Sequence, residues 1–163
     1  MSLFSVGHSN ANIEGFIELL RRHGIDLLVD VRSKPYSRYN VHFSREPLKL
    51  SLNEQGIEYT FLGDRIGGKP EDEAFYFPSG KVDYERLAAA PFFLAGIERL
   101  ISLGHNRRVA FMCAEADYKH CHRYWLITRT LISRGIEVHH ILHTGEIVGS
   151  EAQDFQSAQP SLF

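Results

Sequence analysis

The stretch Asp26-Leu27-Leu28-Val29-Asp30-Val31 decides the fold. Leu27, Leu28, Val29 and Val31 are apolar with no polar alternation, so both faces of this strand must be covered. A strand covered on both faces belongs in a parallel sheet between layers of helix. Asp30 interrupts the run, and a buried carboxylate must find a partner. Arg32, Arg38 and Arg123 are the candidates, which makes Asp30 a positioning residue.

The pattern repeats on either side. Upstream, residues 3–7 read as a first strand. Capping residues at 9–12 and an apolar stripe of Ile13, Phe16, Ile17, Leu19 and Leu20 then predict a helix that Gly24 ends. Downstream, a loop over 32–43 leads to a helix begun by Ser44, with Pro47 in its first turn and Gly56 at its end. Strands follow at 57–62, 109–113 and 138–142. Helices are predicted over 84–103, broken near Pro91, and over 120–134. The long loop 63–82 has the length of a lid or binding loop. The expected fold is a three-layer α/β/α sandwich with a mostly parallel five-stranded sheet in the order 3-2-1-4-5. The first and fourth strands then lie together at a topological switch point, where ligands bind beyond the carboxyl ends of the strands. Residues 1–148 form one domain, and 149–163, mostly small and polar at first, read as a flexible tail.

Composition narrows the function. At 163 residues the chain supports a single core. An apolar content of 44% and a charged content of 23% are those of a soluble globular protein. No stretch approaches a membrane span, and the first residues run straight into a strand, so no signal peptide is expected. Two cysteines in one short segment make no disulfide framework, and the reducing cytoplasm is the expected location. With a net charge of −2 the chain is no general nucleic-acid coat, so any such surface is local.

Unusual polar residues follow the strand ends: His8 and Ser9, then Arg32 to Arg38, then Gly67 and Gly68, then Cys113, Glu115, Cys121, His122 and Arg123, then His143. Packing does not require charge there, so these residues predict one site. Ser-Val-Gly-His-Ser at 5–9, Asp-Val-Arg-Ser-x-Pro-x-Ser-Arg at 30–38, Leu-Gly-x-x-x-Gly-Gly at 62–68, Cys-Ala-Glu at 113–115 and Cys-His-Arg at 121–123 resemble, in order and over nearly the whole chain, the family catalogued as domain of unknown function 488. The resemblance implies an α/β fold and an enzyme, and assigns no reaction.

The chemistry is therefore read from the residues. Segment 32–49 carries Arg32, Lys34, Arg38, Arg45 and Lys49 against one acid, Glu46, with Tyr36, Tyr39 and Phe43 interleaved. Guanidinium groups grip phosphates and aromatic faces stack on bases, so single-stranded or flipped-base DNA is an expected partner. His8, at a strand-to-helix junction, and Glu115 are proton-transfer candidates. Ser9, Arg32, Arg38, Gly67, Gly68, His122 and Arg123 are substrate-binding candidates.

The cysteine group supports three readings. Cys113 is a nucleophile at a strand mouth, although the first arginine follows ten residues on rather than six. Or Cys113, Cys121 and His122 (or His8 or His143) hold zinc or iron, at a spacing unlike standard knuckles. Or Cys121 is packing, Glu115 an acid or base, and His122 with Arg123 an anion site at a helix start. No resident cofactor is expected on the first and third readings.

The end of the chain, Gln159-Pro160-Ser161-Leu162-Phe163, resembles the pentapeptide by which bacterial polymerases and repair proteins dock on the sliding clamp. Gln159, Leu162 and Phe163 would make that contact. Together these features predict an enzyme, a hydrolase or transferase, acting on a phosphorylated or nucleic-acid substrate in DNA repair or replication-linked maintenance. The alternatives are a non-catalytic nucleic-acid or clamp adaptor, and a metal- or thiol-dependent enzyme on a small molecule.

Overall fold

In a computed structural model, described here for residues 1–156, a single six-stranded sheet is sandwiched between helices. The strands are β1 (Ser2–Gly7), β2 (Leu27–Asp30), β3 (Glu58–Phe61), β4 (Val109–Cys113), β5 (Glu137–Ile141) and β6 (Ile147–Gly149). The helices are α1 (Ile13–Arg22), α2 (Arg45–Glu54), α3 (Gly63–Ile66), α4 (Tyr84–Ala88), α5 (Pro91–Asn106) and α6 (Arg129–Ser133). Among the described residues no helix is long and apolar enough to cross a membrane.

The sheet order is β3-β2-β4-β1-β5-β6, parallel except for the last pair. This corrects the expected 3-2-1-4-5: β1 and β4 exchange places, and a short antiparallel strand adds an edge. The physical reason is that β1 and β4 are both apolar and almost wholly buried. Burial marks both as central but cannot say which of them touches β2. The expected adjacency of β1 and β4 holds, with Gly7 opposite Cys113. In addition β4 pairs with β2, Asp30 opposite Met112.

Alternate side chains of the strands build two cores. On one face Phe4, Val6, Leu28, Ala110 and Met112 pack against Phe16 and Leu20 of α1 and Leu48 and Leu52 of α2. On the other, Leu3, Leu27, Val29, Val109 and Phe111 pack against Phe93, Ile97 and Leu100 of α5, with Leu126 and Leu131. The chain leaves β1 and β2 toward the first face and β4 toward the second. The carboxyl end of β4 is therefore a switch point toward both of its neighbours.

The helix expected over 120–134 is not regular. Arg123–Thr128 is a π-helical turn that runs into α6, and Thr128 donates its hydroxyl to the Arg123 carbonyl at 2.6 Å. Such insertions gather at functional sites. The stretch read as a tether from 149 carries structure as far as it is described. Gly149 ends β6, a one-turn 3₁₀ helix spans Ala152–Phe155, and Phe155 is buried against the rings of Tyr124 and Trp125. Gln159, Leu162 and Phe163 lie outside the described residues.

Candidate functional site

A cavity of about 640 Å³ opens beyond the carboxyl ends of β2 and β4. The loop after β2 contributes Arg32, Ser33, Lys34 and Tyr36, and the turn after α3 contributes Gly68 and Lys69. The exit from β4 contributes Cys113, Glu115, Cys121 and His122. A lid comes from the long loop between α3 and α4. There Tyr76 bridges to Val82, the Phe77 amide donates to the Lys81 carbonyl, and the resulting turn brings Tyr76 and Lys81 to the wall beside Tyr84 at the start of α4. Lys34, Lys69 and Lys81 are exposed, and no ion pair among the described residues uses them.

Behind the wall is a buried polar chain. Asp30 is fully buried and accepts Arg32 Nε–H at 2.8 Å, Arg32 Nη2–H at 2.7 Å and the Tyr59 hydroxyl at 2.6 Å. Of the three arginines expected as partners, Arg32 is the one found. Burial, followed by the Asp30 charge, keeps the Tyr59 phenol protonated well beyond its ordinary range. Tyr59 was not foreseen, because a tyrosine on an edge strand looks like ordinary strand composition.

Arg32 extends the chain to His8, donating Nη1–H to Nε2 at 3.3 Å. The Nδ1–H of His8 donates to the Ser9 carbonyl at 2.8 Å. Ser9 has φ +46°, in the left-handed region, and this tight turn bends its carbonyl back onto the ring. The imidazole is also stacked on Phe43, centroids 4.5 Å apart. Burial lowers His8 to about 4, so it is neutral at pH 7 with both nitrogens engaged.

His122 is placed differently. Its Nε2–H donates to the Val31 carbonyl at 2.9 Å, which fixes the tautomer and leaves Nδ1 as a lone-pair acceptor. Burial lowers it to about 4. A Cβ at Gly68 would lie 2.7 Å from His122 Cγ, so only glycine lets the turn after α3 pass over this ring.

The two cysteines meet in the cavity floor, their sulfurs 2.8 Å apart. Arg123 lies beside them, 1% exposed. Its Nη2 reaches the carbonyls of Glu115 and Ala116 at 3.3 and 3.5 Å, while Nε and Nη1 have no hydrogen-bond partner. Burial pushes the Cys113 thiol well above its ordinary range. Burial acts on Cys121 in the same sense, but the hydrogen bond from Cys113 and the charge of Arg123 outweigh it and bring Cys121 down to about 7.

Of the residues expected at the site, Arg32, Gly68, Cys113, Glu115 and His122 line one cavity. His8 and Arg123 stand behind its wall. Ser9 serves the turn that holds His8, and Gly67 packs where a Cβ would meet the Gly63 carbonyl and Ser33 Oγ at 2.3 Å. Arg38 is exposed outside the lining, its guanidinium 5.7 Å from the Tyr39 centroid. Among the described residues no three or more His, Cys, Asp or Glu side chains are grouped as they would be to hold a metal. Tyr76 and Lys81 had no signal in sequence, since the lid alone carries them to the wall, which Tyr84 joins from the start of α4.

The family model described as Domain of unknown function DUF488 matches residues 12–130, most of the chain, including both strand ends that line the cavity. The chain belongs to this family. The Ser-Val-Gly-His-Ser stretch at 5–9 lies outside the match. No curated protein and no solved structure matches the chain.

Proposed function

We propose that this DUF488 chain is an enzyme acting on a phosphate-bearing substrate of nucleotide or single-stranded nucleic-acid type, bound in the cleft beyond β4. The observation that carries the reading is the charge of the cleft. Arg32, Lys34, Lys69 and Lys81 line it against one carboxylate, Glu115, on a chain whose net charge is −2. Asp30 neutralises Arg32, which leaves three exposed lysines without carboxylate partners around a concave wall. That arrangement costs self-repulsion when empty and is relieved by a phosphate.

Tyr36 and Tyr76 offer ring faces at the rim. Tyr36 and Tyr39 are 66% and 87% exposed, and Arg38 extends the basic, aromatic strip past the cleft. Exposed rings beside cations suit stacked bases and a phosphate backbone. Proton transfer falls to Glu115 and to His122, whose Nδ1 is the available acceptor. His8, with both nitrogens used, positions Arg32. In sequence alone, Gln159, Leu162 and Phe163 would bring this cleft to replicating DNA through a sliding clamp, and deleting residues 159–163 should abolish that docking.

Calorimetric titration with pyrophosphate and with a short single-stranded oligonucleotide at low salt tests the reading. Both should bind, and Lys69→Ala should lower the salt slope of oligonucleotide binding by about one unit. Binding of pyrophosphate alone would move the assignment to a small phosphorylated molecule. Binding of neither at low salt would end it.

A further inference from the structure

We propose that Cys113 and Cys121 form a redox site, a dithiol on the floor of the cleft that closes reversibly to a disulfide by exchange with low-molecular-weight disulfides. Nothing in this depends on which substrate the cleft takes.

The geometry supplies the pair. Cys113 is held at the end of the central strand, where Gly7 pairs with it. Cys121 is held eight residues later, its carbonyl accepting the Tyr124 amide at 3.1 Å at the start of the π-helical turn. Between these fixed points the two sulfurs are in contact. Both side chains are buried, at 3% and 8% exposure, yet both belong to the cavity wall, so a small disulfide reaches them and a protein does not.

Arg123 supplies the second, independent observation. A guanidinium that is 1% exposed, with Nε–H and Nη1–H unpartnered and no carboxylate among the described residues paired to it, is a buried charge awaiting an anion. The Cys121 thiolate is that anion. Its stabilisation next to a cation, with Cys113 left as the protonated donor, sets the order of events.

The exchange balances as follows. The Cys121 thiolate attacks one sulfur of an external disulfide RSSR, giving a Cys121–SR mixed disulfide and releasing RS⁻. That thiolate takes the Cys113 proton and leaves as RSH. The Cys113 thiolate then attacks Cys121 Sγ, forms the Cys113–Cys121 bond and releases the second RS⁻. Two protein sulfurs are oxidised and one external disulfide is reduced to two thiol equivalents. Closure also removes the negative partner of Arg123 and leaves an uncompensated cation under the cleft.

The test uses the full chain with glutathione disulfide at pH 7, read by intact mass and thiol counting. The wild type should lose both thiols and two hydrogens, carry no adduct, stay monomeric on a non-reducing gel, and regain both thiols with dithiothreitol. Cys113→Ser should stop as a mixed disulfide at Cys121. Cys121→Ser should react at about one-tenth of that rate or below, because its remaining thiol is protonated. Arg123→Gln, if folded, should move the pH profile of Cys121 alkylation upward. Two persistent thiols, a stable mixed disulfide in the wild type, or a disulfide-linked dimer would each overturn the proposal. So would a Cys121→Ser protein that reacts as fast as Cys113→Ser.

Discussion

Asp30 and Arg32 grip each other at the end of β2 through two parallel hydrogen bonds of 2.8 and 2.7 Å, with the carboxylate fully buried. Two residues apart on an extended segment, they point the same way, so the pair forms within one strand end. Removing one partner strands the other charge in the core. Asp30→Ala should therefore cost about 3–5 kcal/mol in urea denaturation. Tyr59→Phe removes one hydrogen bond to the same carboxylate and should cost about 1 kcal/mol. Equal, small losses would mean that water replaces the network.

Stability should depend on pH through buried histidines. Burial is the main cause in each case, lowering His8 from 6.5 to about 4 and His140 to about 3. A depressed histidine is neutral in the native state and binds its proton first when unfolded, so stability rises with pH between the two values. It is fully present above about pH 6.5 and is lost progressively as pH falls toward 4, on the order of 3 kcal/mol for His8 alone. Chemical denaturation at pH 7, 6, 5 and 4.5 reads this directly. A flat profile would mean that these rings are solvated.

Gly68→Ala places a methyl against His122 Cγ, 2.7 Å away, within a packed wall. The ring must tilt, and its bond to the Val31 carbonyl must lengthen. We expect a loss of about 1–3 kcal/mol and a larger proportional loss of ligand binding in the cleft. Unchanged binding with the full stability loss would take His122 out of the site.

Phe155→Ala should cost about 3 kcal/mol, the scale of a buried ring removed from an aromatic cluster. Tyr124 and Trp125, which Phe155 covers, belong to the π-helical turn that carries Arg123. A measurable decrease in Cys121 reactivity should accompany the lower midpoint. A midpoint unchanged within error would show that residues 150–156 are not part of the cooperative unit.

Much of this was legible in the residues, for a simple reason. Apolar runs without polar alternation, such as Leu27-Leu28-Val29 resumed at Val31, report burial on both faces, and polar residues after such runs report a site. Pairing order was not legible, because Val109–Cys113 and Ser2–Gly7 are both almost wholly buried and burial has no direction along a sheet. Ile147–Gly149 was too short to read as a strand, and its turn rests on Gly145 at φ +92°. In the site, charge and aromatic content were readable, but allegiance was not. That Arg32 would be spent on Asp30, and His8 on Arg32 and Ser9, depends on which side of a strand end each side chain leaves.

The packing of Phe155 sets a leash length. Phe163 stands eight residues further on, a span of at most about 29 Å even fully extended. A partner that gripped Leu162 and Phe163 would therefore be held within that span of the turn that carries Arg123.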